Sequence, residues 1–148
     1  MKSTEQSQKY FTQKFNCSQS VFATFAPRLG LTVNDSLKVA SAFGAGMGRQ
    51  QKTCGAVTGA LMALGLKYGK GIDGNEDSKL QTYARTKLLF DKFIEMYGSA
   101  NCRELLDGLD MSNSDDMVCI QKEKMFETRC PKYVAGATQI VEEIFENE

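Results

Sequence analysis

Thr53-Cys54-Gly55-Ala56-Val57-Thr58-Gly59-Ala60 sets a cysteine at the head of a glycine- and alanine-rich run. With Gly55, Gly59 and Ala63 a small residue recurs at every fourth position, one face of a 3.6-residue period, and lets another backbone come close. Thr53 is a favoured N-cap residue, so the pattern predicts a helix from Cys54 to about Tyr68 with Cys54 in its first turn. Unpaired N–H groups and the helix dipole favour negative charge there. A thiol so placed tends towards the thiolate, the form that attacks disulfides or ligates metal.

Outward from this stretch the period stays helical. Residues 4–14 read as an amphipathic helix with Tyr10 and Phe11 inward, and Asn16 caps a second helix from Cys17 to about Pro27. A third follows Thr32, with Leu37, Val39, Ala40 and Phe43 as its stripe. Gly44-Ala45-Gly46-Met47-Gly48-Arg49 reads as a flexible loop that delivers the chain to Cys54. Beyond Gly69-Lys70-Gly71, a polar linker over 72–77 leads to a long helix from Ser78 to Tyr97, stopped at Gly98. Asn101 caps a short helix at Cys102-Arg103-Glu104-Leu105-Leu106. Residues 107–116 read as a surface loop and 117–126 as a weaker helix carrying Cys119. Pro131 suits the first position of a last helix with Cys130 as its cap. No period-2 strand pattern and no internal repeat occur. The expectation is one all-α domain over residues 1–148, a bundle of six to eight helices.

Composition narrows the function. A chain of 148 residues can bury roughly 70% of its unfolded surface and needs no staples. Eighteen basic and eighteen acidic residues cancel, so no bulk field favours nucleic acid or an anionic membrane. The start, Met1-Lys2-Ser3-Thr4-Glu5-Gln6-Ser7, lacks an apolar segment, and the low-charge run from Thr53 to Leu66 is too short to span a bilayer. The expectation is a cytoplasmic protein with no membrane insertion. There is no histidine, which removes Cys-His catalytic pairs and histidine metal ligands.

Five cysteines remain: Cys17, Cys54, Cys102, Cys119 and Cys130. Four of them are predicted at helix starts, with Lys52 beside Cys54, Arg103 beside Cys102, and Arg129 and Lys132 around Cys130. Helix N-termini and cations both stabilise a thiolate. An odd count argues against a complete disulfide framework, and no Cys-x-x-Cys occurs. Gaps of 37, 48 and 28 residues mean that a shared site must be assembled from four different helices. Buried cysteines also serve as plain apolar packing.

The element Cys54-Gly55-Ala56-Val57-Thr58-Gly59, with Asn16-Cys17, Asn101-Cys102-Arg103-Glu104-Leu105-Leu106 and Cys130, resembles the C_GCAxxG_C_C family, bacterial and archaeal proteins of about this length regarded as redox-active. The loop Phe43–Arg49 and the stretch Gly65-Leu66-Lys67-Tyr68-Gly69 are similar as well, and Cys119 is extra. The resemblance implies a helical fold, a redox role, and a setting near membrane transporters. A related helical domain in split-Soret cytochromes implies an iron–sulfur cluster as an option.

Other signals are weaker. Gly44, Gly46 and Gly48 follow a helix and lack the Gly-Lys-Ser/Thr ending of a phosphate loop. Asp107, Asp110, Asp115 and Asp116 lack the glycine and glutamate of a calcium loop.

Three readings stand. The first is thiol–disulfide chemistry centred on Cys54, with Cys17, Cys102 or Cys130 as resolving partner and Lys52 and Arg103 in support. The second is a zinc or iron–sulfur site ligated by Cys17, Cys54, Cys102 and Cys130. The third is a helical interaction protein without chemistry. The partners expected are an unidentified redox partner for the first two readings, in a setting near a membrane transporter, and a second copy of the chain as a homodimer.

Overall fold

A computed structural model describes residues 1–147. α1 (Ser3–Thr12) ends before Asn16, whose side chain accepts from Gln19 N at 2.9 Å while Gln19 Oε1 accepts from Asn16 N at 3.0 Å. This capping box starts α2 (Cys17–Phe25), and a 3₁₀ turn at Ala26–Leu29, with Pro27 in its first positions, follows. Thr32 caps α3 (Val33–Ala40) through Asp35 N. After a second 3₁₀ turn, Ser41–Phe43, the chain enters the single turn α4 (Gly44–Met47) and then α5 (Gly55–Tyr68). α6 (Glu76–Tyr97) begins two residues earlier than the sequence pattern places it, because Asn75 caps Ser78 N, and it stops at the left-handed Gly98.

The last third holds α7 (Cys102–Leu105), α8 (Ser114–Lys122), α9 (Met125–Thr128) and α10 (Cys130–Glu146). Among the described residues this makes seven helices of eight residues or more, three single turns and no strand, an all-α fold.

α2, α5, α6 and α10 enclose the main core, where Phe25, Leu64, Leu89, Phe93 and Val141 are wholly buried. Removing one such side chain from water stabilises the fold by about 1.5–3 kcal/mol. A smaller apolar cluster of Cys102, Leu106, Ile120 and Met125 gathers α7, α8 and α9. Two buried hydroxyl pairs lock helix crossings: Thr58 donates to Ser18 at 3.3 Å between α5 and α2, and Thr138 donates to Ser7 at 3.0 Å between α10 and α1.

The expected close approach of α5 to a neighbour is present, and the neighbour is α2. A Cβ on Gly55 would stand 3.1 Å from Cys17 Cβ, and one on Gly59 would collide with the Ser18 carbonyl oxygen. Glycine at these positions is what lets Cys17 lie against the start of α5.

Four expectations change. Cys54 is not inside the first turn; it is the N-cap residue, because Thr53 is drawn into an antiparallel bridge with Asn101. Cys130 is the first helical residue of α10, with Arg129 as cap. The acidic segment 107–116 gives up its end to α8, which Asn113 caps through Asp116 N, and a left-handed Lys124 (φ 53) separates α8 from α9.

The fourth change is the Gly44–Arg49 segment, which is ordered and left-handed instead of an open loop. Ala45, Gly46, Met47, Gly48 and Arg49 have φ of 54, 65, 69, 57 and 69°, and Gly48 N donates to Gly44 O at 2.8 Å. Each non-glycine residue in this conformation costs about 1–2 kcal/mol, so the turn persists only because its surroundings hold it. Gly46 is essential to that packing: a Cβ there would lie 2.6 Å from Gln51 Cα.

The crossing can be tested with two glycines of one helix. Gly59→Ala is expected to lower stability by about 1–3 kcal/mol through overpacking. Gly65→Ala, with nothing within 4 Å of its added methyl, is expected to be neutral or to stabilise by up to about 1 kcal/mol. Urea denaturation of both variants reads the difference.

Candidate functional site: a four-cysteine cavity

The Thr53–Asn101 bridge brings two distant cysteines together. Cys54 N donates to Ala100 O at 2.7 Å and Cys102 N donates to Lys52 O at 2.6 Å. In such a ladder residues alternate between faces, so Cys54 and Cys102 share the face opposite Thr53 and Asn101, as a diagonal pair. Diagonal neighbours lie about 7–8 Å apart, beyond the Cα spacing of an unstrained disulfide. Gln51 extends the clamp: buried, with φ 55°, it donates through Nε2 to Leu109 O at 2.9 Å and accepts from Met111 N at 2.8 Å.

The other two sulfurs arrive from α2 and α10. The α2–α5 crossing sets Cys17 beside Gly55, and the start of α10 brings Cys130 within hydrogen-bonding range of Cys17. All four cysteines line one cavity of about 170 Å³ at the seam between the main core and the smaller cluster. The remaining wall is mainly apolar, including Leu105, Leu106, Met111, Phe126 and Tyr133, and no charged side chain lines it. Tyr133 is fixed by donating to Leu105 O at 3.1 Å. Cys54 and Cys102 are buried, whereas Cys17 and Cys130 are partly accessible. Cys119 is exposed on α8 and does not line the cavity.

The sulfurs differ sharply in acidity. Burial pushes Cys54 up from the ordinary 9.0 to about 12; the N–H groups of Ala56 and Val57 oppose the shift without forming a regular side-chain cap. Burial pushes Cys102 up to about 11, with the nearby Cys130 adding to it. The hydrogen bond with Cys130, and then burial, raises Cys17 well above its ordinary value. Cys130 goes the other way: the hydrogen bond from Cys17 lowers it, against burial and Glu127, and the Arg129 guanidinium lowers it further. Cys130 is thus the more acidic sulfur of the pair.

At Cys54 burial therefore opposes the helix-start effect on which its expected activation rests. Desolvation of a charge in a low-dielectric site outweighs the helix-terminus effect. Lys52 and Arg103, the cations expected beside Cys54 and Cys102, both face solvent. The Lys52 side chain is exposed and contributes its backbone carbonyl, and Arg103 is exposed and donates to Gly108 O at 3.0 Å. The cation that bears on a cavity cysteine is Arg129, anchored by Asp107 at 2.8 Å and by Leu105 O at 3.2 Å.

Gln51 and Tyr133 escape a sequence reading, since neither stands in a recognisable motif. Arg129, adjacent to Cys130, was open to it. The zinc option meets a geometric difficulty: among the described residues no three metal-donor side chains are drawn together closely enough to hold one metal ion. A tetrahedral zinc needs its sulfurs about 3.8 Å apart, given Zn–S bonds of about 2.3 Å.

An all-α fold whose cysteines converge on one apolar cavity defines a class, the helical proteins with an assembled polycysteine site. Residues 15–144 match the profile of one such family, described as "Putative redox-active protein (C_GCAxxG_C_C)", and the chain belongs to the C_GCAxxG_C_C family. It is also 27% identical over 132 residues to a protein of Archaeoglobus fulgidus described only as an "Uncharacterized protein", covering 84% of this chain and 81% of that one. No solved structure matches the chain. Among the described residues no helix is long and apolar enough to cross a membrane.

The raised thiols make stability depend on alkaline pH. In the unfolded chain Cys54 and Cys102 ionise near 9, in the native protein near 12 and 11, so their contribution is full below about pH 9 and is lost as pH rises through the folded values. Reduced protein is expected to show a urea midpoint that falls between about pH 9 and about pH 11, and Cys54→Ala to flatten that fall. The difference in midpoint between the two pH values is the measurement.

Proposed function

We propose that this protein is a thiol–disulfide redox protein in which Cys130 is the attacking sulfur and Cys17 resolves. The observation that supports this reading most is the placement of Cys17 and Cys130 together in the partly accessible part of the cavity, with Arg129 adjoining Cys130. The Cys130 thiolate attacks one sulfur of an incoming disulfide; that S–S bond breaks and the first thiol leaves, taking a proton from solvent. Cys17 then loses its proton, attacks the Cys130 sulfur of the mixed disulfide and releases the second thiol. The substrate disulfide gains two electrons, and the protein is left with a Cys17–Cys130 bond. Run backwards, the same steps oxidise a dithiol. Cys54 and Cys102, buried and protonated, keep the site dry. A reducing compartment such as the cytoplasm would recycle the oxidised form.

A second reading is supported by the cavity itself. It lies among four cysteines with no histidine or carboxylate in its lining, the ligand set of an iron–sulfur cluster, and Cys17, Cys54, Cys102 and Cys130 would hold it. When bound, such a cluster supplies one-electron transfer. The protein's part is then to exclude water and to present four sulfurs from four helix starts, with the 53–101 bridge fixing two of them.

Two measurements on protein purified without oxygen decide. Thiol reading first: alkylation against pH labels Cys130 before Cys17, Cys54 and Cys102 with an apparent pKa below 9.0, Cys17→Ser traps a mixed disulfide on Cys130, and Cys130→Ser abolishes it. Labelling of Cys54 first, or failure to trap the adduct on Cys130, contradicts it. Iron and acid-labile sulfide bound in stoichiometric amount would replace the thiol reading with the cluster reading.

A further inference from the structure

α6 is the longest helix, at 22 residues, yet only Leu89 and Phe93 are buried on it. Its outer face carries Leu80 (56% exposed), Tyr83 (61%) and Ile94 (42%), three large apolar side chains open to solvent. Lys87 and Asp91 lie between them on the same face, paired at 2.7 Å with side chains 79% and 59% exposed. The steps along Leu80, Tyr83, Lys87, Asp91 and Ile94 are three, four, four and three residues, the spacing that keeps side chains on one helical stripe.

That series reads the same in both directions. We infer that the outer face of α6 is a homodimer interface, in which two copies of this chain pack their α6 helices antiparallel about a two-fold axis at Lys87. Turning the helix end for end about Lys87 sets Leu80 over Ile94 of the partner subunit, and Tyr83 over the partner's Asp91. The exposed apolar groups then cover one another at both ends of the seam, as a two-fold interface requires of a single surface patch. The charges are self-complementary. The two Lys87 side chains lie over one another at the axis with an Asp91 one turn away on each side, so the centre carries no net charge, and each Lys87 can reach the partner's Asp91 as well as its own while its stem covers apolar surface. Spacings of three and four residues are also those of antiparallel helix pairs that mesh side chains at small crossing angles.

Sedimentation equilibrium on the full chain at micromolar concentration tests this. The wild type is expected at twice the 16.4 kDa chain mass. Leu80→Glu with Ile94→Glu is expected at the chain mass with unchanged helical circular dichroism, because both positions are exposed and outside the core. Lys87→Glu alone places four acids at the axis and is expected to weaken association at least tenfold; adding Asp91→Lys restores opposite charges and is expected to recover it. A wild type that stays monomeric overturns the inference, as does a dimer that both glutamates leave intact. A charge-swapped double variant that fails to recover association overturns the antiparallel register.

Discussion

The site depends on a short backbone ladder. Cys54 N–H to Ala100 O and Cys102 N–H to Lys52 O are two hydrogen bonds between segments almost fifty residues apart, and they fix two cysteines on one face at once. Both amides are consumed by the ladder, so neither cysteine can turn away without leaving a donor unpaired. Gln51 holds the 109–111 segment to the same bridge segment, and the left-handed turn at Ala45–Arg49 feeds the chain into it. The ladder ties Cys102 and the smaller cluster to the main core, alongside the bonds of Arg129 and Tyr133 to Leu105 O.

On that frame, burial and local charge divide the labour among four chemically identical side chains. Cys54 and Cys102 sit deep enough that desolvation keeps them protonated, although one caps a helix and the other opens one. Cys130 is spared by a hydrogen bond from Cys17 and by Arg129. The helix dipole is a weak influence, worth about 0.3–1 kcal/mol at exposed sites, whereas burial can shift a group by several pH units. The bridge and the α2–α5 crossing explain why sulfurs at helix starts converge; a helix start does not set their acidity.

The division between what a reader of the sequence can and cannot see follows the range of the forces involved. Asn16, Thr32 and Asn101 announce helix starts because capping is settled within four residues, and the structure has all three caps. Gly55 and Gly59 announce a close crossing because only a missing side chain permits one. That four cysteines belong together was legible from their shared local context. The Thr53–Asn101 bridge was not, since Thr53 satisfies a cap and a ladder equally well and only the distant strand decides between them. The left-handed turn was hidden for the same reason: glycines permit it, but Ala45, Met47 and Arg49 are held there by Gln51 and Lys52 packing on Gly46. The acidity order of the thiols was out of reach altogether, because burial is a property of the finished fold.

The central claim is that Cys17 and Cys130, and not Cys54, form the redox couple. Peptide mapping by mass spectrometry after equilibration in a glutathione redox buffer tests it most directly. The account predicts one intramolecular disulfide, Cys17–Cys130, with Cys54 and Cys102 recovered as free thiols. A Cys54–Cys102 bond, or no disulfide across the whole range of buffer potentials, would contradict it.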